Sequence, residues 1–236
     1  FYELEGARAL RKKLETFEGG KVVVNFAELP ITCPVAPMEW IFLAEAYFKG
    51  KGIRDRVELS YVIPIDEAFT KPVAAKELAG TFESKGIEVV TDFAVMEVDD
   101  GSNALVSDDE RRVNFDLLVQ IPPNTGAEFV ETSGFGNELA LVPTHKRTLE
   151  AEELPDVFVL GDATDLPTSK AGSVAHYQAE LLAENLLHVI AGKAPEPSFD
   201  GHANCFIETG YGKAMLLDFN YELEPVPGKF PVPGVG

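Results

Sequence analysis

Between residues 21 and 63 the sequence alternates in a way that few folds satisfy. A continuous apolar run, Val22-Val23-Val24, is followed by a helical stretch from Met38 to Phe48 and a second apolar run over 57–63. Unbroken apolar strands are what a parallel sheet covered on both faces requires. Strand, helix and strand over roughly 30 residues or slightly more make a βαβ unit. In nucleotide-binding units the turn after the first strand is glycine-rich, because the backbone must turn tightly and approach a phosphate. Here no glycine falls between Lys21 and Lys49. The turn reads Ile31-Thr32-Cys33-Pro34-Val35-Ala36-Pro37, so a cysteine among prolines stands where a phosphate loop would be. A nucleotide-fold scaffold whose turn serves sulfur chemistry is the expectation.

The remaining chain extends this α/β pattern. Residues 3–18 predict a helix with Leu4, Ala7, Leu10, Leu14 and Phe17 on one face, stopped by Gly19-Gly20. The helix after Pro37 carries Trp40, Leu43, Ala44 and Tyr47 as its expected apolar stripe. A second helix over 73–85 leads to a strand over 87–91. Short alternating segments at 94–98, 104–107 and 113–115 predict a small antiparallel meander. The apolar strand 117–121 ends at Pro122-Pro123, where a domain crossover is placed. Residues 124–156 read as loop with short strands, 157–162 as a buried strand, and 171–191 as a long helix closed by Gly192. Two hairpin strands, 204–208 and 213–221, flank Gly210-Tyr211-Gly212. Three units are expected: 1–121, 122–200 and 201–236. Phe1 stands inside a helical pattern and 232–236 reads as loop, so a piece of a longer protein is expected.

Composition removes several functional classes. A net charge of −19 argues against nucleic acid and against electrostatic attachment to anionic lipid. No apolar run reaches the ~18 residues of a membrane-spanning helix. Two cysteines make no disulfide scaffold, and neither has a His or Cys partner at metal-ligand spacing, so no metal site is expected.

Three features carry chemistry. The run Val157-Phe158-Val159-Leu160 ends in Gly161-Asp162. In open α/β sheets ligands bind beyond the carboxyl ends of strands, where a carboxylate can accept hydrogen bonds from sugar hydroxyls. An ordinary strand-end turn would look the same. Thr168-Ser169 can cap the next helix. Its positive N-terminus, with Lys170 beside it, would favour the electron-rich end of a reduced flavin. A capped surface helix is the alternative. Third, Cys33 precedes a helix, a setting that can lower a thiol pKa from ~8.5 into the range ~3.5–7.5. Cys205 lies too far along the chain for spacing to say whether the two thiols meet, and two unrelated buried thiols remain open. Glu39 reads as a first-turn carboxylate that could also accept a proton near the sulfur. His176 and His188 read as helix-surface residues and His202 as a solvated loop histidine.

The string Leu160-Gly161-Asp162-Ala163-Thr164-Asp165-Leu166-Pro167-Thr168-Ser169-Lys170, with Cys33-Pro34-Val35-Ala36-Pro37 and Cys205-Phe206-Ile207-Glu208-Thr209-Gly210-Tyr211-Gly212, resembles the sulfide:quinone oxidoreductases. The segment Leu216-Leu217-Asp218-Phe219-Asn220-Tyr221 resembles that family's strand near its C-terminus. The resemblance implies a Rossmann-like FAD/NAD(P)-binding fold with a central parallel sheet and a meander. It implies FAD as cofactor, with Gly161 and Asp162 at the ribityl-phosphate region and the Lys170 and Ala171 amides at the ring. Cys33 and Cys205 would be the redox pair that takes sulfide and passes two electrons through flavin to a quinone at a membrane surface. The family's Gly-x-Gly-x-x-Gly turn, its C-terminal membrane-docking helices and a third cysteine are not found in this sequence. The expectation is therefore a soluble, flavin-free, inactive fragment of a peripheral membrane enzyme, with homo-oligomerisation left open. A flavocytochrome c sulfide dehydrogenase, a type II NADH:quinone reductase and a non-catalytic nucleotide-fold domain are the alternatives.

Overall fold

A computed structural model of the chain describes residues 3–226, so Phe1 and the 232–236 segment lie outside the described residues. Four parallel strands form the central sheet in the order β3-β2-β1-β7: β1 Gly20–Phe26, β2 Val57–Val62, β3 Ile87–Val90 and β7 Leu117–Ile121. Helices α2 (Ala36–Gly50) and α3 (Pro72–Ser84) connect β1 to β2 and β2 to β3. The antiparallel meander, β4 Val95–Asp99, β5 Ala104–Ser107 and β6 Arg112–Asn114, lies between β3 and β7 in sequence.

The continuous apolar runs are explained by burial on both faces. Val22, Val24 and Phe26 point into the cluster that contains Ile41, Phe42 and Phe82 of α2 and α3. Val23 points the other way, into a second cluster with Phe93, Leu105 and Val113 of the meander side. Asn25 is fully buried on β1 and satisfied: its Nδ2 donates to Phe26 and Val62 carbonyls, and its Oδ1 accepts from Gln120. A buried amide costs little when every polar atom is partnered.

The α2 stripe differs from the expectation. Met38, Ile41, Phe42, Ala44, Glu45 and Phe48 are buried, whereas Leu43 and Tyr47 are 39% and 42% exposed. Trp40 and Tyr47 instead face the first helix, α1 (Leu4–Thr16), and share a groove with its Leu10 and Leu14. Helix α2 is covered by more than the sheet, so a single amphipathic stripe does not describe it. Helix α1 has no fully buried residue. Its C-terminal carbonyls are gathered by Lys51, whose Nζ lies 3.2, 2.8 and 2.6 Å from the carbonyl oxygens of Leu14, Glu15 and Phe17. A cation there meets both the orphan carbonyls and the helix dipole.

Residues 124–156 hold a helix that periodicity did not reveal, α4 (Glu128–Ser133), and only isolated bridges in place of short strands. Six residues with one buried side chain, Val130, give no readable stripe. Nor do residues 157–162 form a strand. One bridge joins Glu150 to Phe158, and Gly161–Ala163 is a single 3-10 turn. The segment is apolar because Val159 fills one small cluster while Phe158 and Leu160 pack on the main one. Helix α5 (Gly172–Ile190) follows. A separate two-stranded sheet, β8 Ala203–Gly210 with β9 Lys213–Phe219, ends the described chain.

Candidate functional site

Strand β1 has its α2 crossover leading to β2 on one side and β7 on the other. In such sheets the crevice between loops leaving oppositely connected strands is where ligands sit. The loops after β1 and β7 meet there, tied by the Thr32 N–H donating to Asn124 Oδ1 at 2.9 Å. A cavity of about 280 Å³ opens between them, with Cys33, Pro37, Trp40, Val119 and Ile121 in its wall. A second cavity of about 420 Å³ shares Ile31, Thr32 and Asn124 with the first, and its far wall carries Asp162, Ala163 and Lys170. The β1 turn that holds the cysteine thus faces the same crevice as the Gly-Asp segment.

Cys33 is half-buried and its carbonyl accepts the Ala36 N–H at 3.3 Å, which fixes it to the start of α2. Cys205, on β8, is also half-buried. Ser169 Oγ lies 3.9 Å from Cys205 Sγ. Burial pushes the Cys205 thiol above its usual range, the Ser169 hydroxyl pulls it back, and the nearby charges of Cys33 and Glu39 push it further up. Cys205 is therefore within electrostatic reach of both Cys33 and Glu39. Glu39 does stand in the first turn of α2, and its Oε1 also accepts the Glu208 N–H of β8 at 3.0 Å.

Gly161 uses its glycine, with φ at +66°, but its N–H already donates to Gln178 Oε1 at 2.7 Å. Lys170 is engaged by the loop before it: its Nζ donates to the Thr164 and Leu166 carbonyls, and burial holds its pKa below the usual lysine value. The expected Thr168-Ser169 cap is not formed. Ala171 is the N-cap residue, Thr168 donates to the Gly201 carbonyl, and Ser169 Oγ accepts from Ala171 N at 3.3 Å. The helix starts at Gly172, within a residue of the expected start, with its cap position two residues beyond Ser169. His202 is not a solvated loop residue. Its Nε2 lies 2.8 Å from Asp218 Oδ1 and its ring stacks on Tyr177 at 4.8 Å. His176 is exposed as expected. Among the described residues no group of three or more His, Cys, Asp or Glu side chains could hold a metal ion, and no helix is long and apolar enough to cross a membrane.

The Ser169 contact predicts a pH profile. In a Cys33→Ser background, alkylation of Cys205 by iodoacetamide should reach half-maximal rate above the pH of an unperturbed thiol, because burial disfavours the thiolate. Ser169→Ala should move that midpoint higher still, since it removes a donor to the thiolate. A midpoint that falls, or does not move, would show that the hydroxyl does not serve the sulfur.

The architecture is the Rossmann-like FAD/NAD(P)-binding fold. It is shared with putidaredoxin reductase in its covalent complex with putidaredoxin (TM-score 0.56, 14% identity, 93% of this chain and 51% of that one). Within that fold the chain is similar in sequence to the sulfide:quinone oxidoreductases. It is 24% identical to the mitochondrial sulfide:quinone oxidoreductase of Mus musculus over 95% of its length and 51% of the mouse protein. It is 26% identical to that of Schizosaccharomyces pombe, over 95% and 50%. The chain thus spans about half the length of the curated relatives it matches. The sulfide:quinone oxidoreductase from Aquifex aeolicus superposes with a TM-score of 0.73 at 17% identity, over 92% of this chain and 54% of that one. A chain of the Tetrahymena thermophila mitochondrial ATP synthase reaches 0.74 at 20% identity, over 89% and 52%. At such identities the structural likenesses show the fold alone. No protein-family model matches the chain.

Proposed function

We propose that this chain carries the sulfur-oxidising centre of a flavin-dependent sulfide:quinone oxidoreductase. The observation that supports this reading best is that Glu39, in the first turn of the helix that Cys33 leads into, accepts the Glu208 N–H of the strand that carries Cys205, which brings the two cysteine-bearing segments together. In the oxidised pair, hydrosulfide attacks one Sγ of a Cys33–Cys205 disulfide. A new sulfur–sulfur bond forms, the old one breaks, and the other cysteine leaves as a thiolate. The products are one persulfide and one thiolate, with the electron pair of the broken bond on the thiolate. In this reading Glu39 takes the proton, and Ser169 donates a hydrogen bond to the Cys205 thiolate.

The cavity bounded by Asp162 and Lys170 fits the end of a flavin, with a polar lip over apolar walls from Ile31, Phe129, Val130 and Leu141. Asp162 and Lys170 would hold FAD there, beside the first-turn N–H groups of α5 that have no intrahelical acceptor. Bound FAD would supply a two-electron acceptor. In this reading tight flavin binding, quinone reduction and attachment to a membrane surface belong to a protein of the relatives' full length, and the 236 residues carry the sulfur chemistry.

The test is to oxidise the chain, add hydrosulfide and look by mass spectrometry for one added sulfur on the Cys33 or Cys205 peptide. Wild type should form the persulfide. Cys33→Ser and Cys205→Ser should each abolish it, because neither variant has a Cys33–Cys205 disulfide for hydrosulfide to break. A wild-type chain that forms no persulfide would sink the proposal.

A further inference from the structure

Among the described residues β8 and β9 pair with no other strand, and hydrogen bonds tie the hairpin to helices: Asn204 bonds Ser173 and Tyr177 of α5, and Glu208 bonds Glu39 of α2. A lone hairpin is marginal in water, so its placement must come from what it packs against. Cys205 lies on this hairpin, whereas Cys33 is tied to the first turn of α2. Whatever fastens the hairpin to α2 therefore sets one sulfur against the other.

Two fastenings are present. The Glu208 N–H donates to Glu39 Oε1 at 3.0 Å. Further along α2, the Tyr211 hydroxyl lies 2.9 Å from each carboxylate oxygen of Glu45. Glu45 is 5% exposed, which would be costly for an unpaired charge. It is held by Lys85 at 3.2 Å and Arg54 at 3.9 Å. The Lys85 ammonium also sits 4.9 Å from the Tyr211 ring centre. Tyr211 and Gly212, at φ +57° and +70°, are the two central residues of the hairpin turn, and positive φ at both is what a type I′ turn demands, so the turn aims the tyrosine. Beside it Gly210, at φ +82°, lets the tip press on α2: a Cβ there would lie 2.8 Å from the Ala46 Cβ. The buried charge and the close backbone approach converge on one contact.

We infer that Tyr211, acting through Glu45, is a positioning residue that holds the Cys205 hairpin on α2 and so sets the effective concentration of Cys205 against Cys33. This rests on the cysteine pair proposed above. A hydrogen bond that only stabilised the hairpin would change melting without changing how readily the two sulfurs join. The latch changes both.

The measurement is the thiol–disulfide equilibrium of the 236-residue chain in mixtures of reduced and oxidised glutathione. Two cysteine thiols and one oxidised glutathione give the Cys33–Cys205 disulfide and two reduced glutathiones, with two electrons and two protons passing to glutathione. Tyr211→Phe keeps the ring and removes only the hydroxyl. It should lower the effective concentration of the pair about tenfold, as loss of a charge-assisted hydrogen bond that orders an intramolecular reaction would. Glu45→Gln should lower it further. Lys51→Met, which loosens α1 on a different face, should lower the melting temperature and leave the glutathione equilibrium as in wild type. If Tyr211→Phe lowers the melting temperature but not the equilibrium, the positioning role is overturned and the cysteine pair stands. A wild type that forms no disulfide at any glutathione ratio overturns both.

Discussion

Replacing Phe42 by alanine is expected to cost about 3–5 kcal/mol of stability, the usual range for truncating a buried phenylalanine. Phe42 is fully buried on α2, and its ring centre is 4.8 Å from that of Phe82 on α3. Phe82 stacks in turn on Tyr61 of β2 at 5.2 Å, and Tyr61 meets Phe26 of β1 at 6.3 Å. These four rings run from the helix under the Cys205 hairpin to the strand that feeds Cys33. The cavity left by Phe42→Ala would open in the middle of that row, where the backbone of β1, β2 and two helices leaves little room to collapse. Urea unfolding of the chain reads the loss directly. A cost below about 1 kcal/mol would mean that the row is not a rigid support.

That row was partly legible in the sequence. The strands of the βαβ unit were, because a parallel strand buried on both faces leaves an unbroken apolar signature. The same signature misled at 157–162. There Phe158, Val159 and Leu160 are apolar because two clusters need them, although the backbone makes a single bridge. Apolar runs report burial, and hydrogen-bonded pairing is a separate matter. Helix α2 shows the converse. Its burial is shared by the sheet, the hairpin and α1, so a one-face reading chose Leu43 and Tyr47, which lie outside, and passed over Phe42.

The site divides in a similar way. Cys33 stood out because its turn lacks the glycines that a phosphate would need. Gly161 drew notice where a cofactor site and an ordinary turn look alike in sequence, and its φ of +66° shows the turn. The partnership with Cys205 came from a family likeness, since no local pattern links two residues so far apart. The contacts of Ser169 with Cys205 and of Tyr211 with Glu45 are tertiary, the second spanning 166 positions. Ser before a helix usually caps it, whereas Ser169 Oγ accepts the Ala171 N–H just ahead of the helix and also lies 3.9 Å from Cys205 Sγ. Nothing in the sequence marks Glu45, because its burial beside Lys85 and Arg54 is set by tertiary packing.

Gly126→Ala should be the most damaging small substitution at the crevice. In a loop, glycine to alanine often stabilises by about 0.4–1 kcal/mol, because the unfolded chain loses freedom. Here a Cβ would lie 1.8 Å from the Ala140 carbonyl oxygen and 2.5 Å from its carbon. Both obstacles are backbone, so no side chain can swing away. The Gly126 N–H also donates to the Leu139 carbonyl at 2.7 Å, which holds the two segments at this separation. Adding the methyl must push them apart, breaking that bond and straining Ala140, already at φ +57°. The cost should reach about 3 kcal/mol, combining overpacking with a lost hydrogen bond. Asn124, two residues away, ties this loop to Thr32 beside Cys33, so the damage should travel along the wall shared by the two cavities. Alkylation of Cys33 under native conditions should accelerate in the variant while urea stability falls. Wild-type alkylation together with a stability loss under about 0.5 kcal/mol would show that the two loops are free to part, and that the crevice wall is not fixed by Gly126.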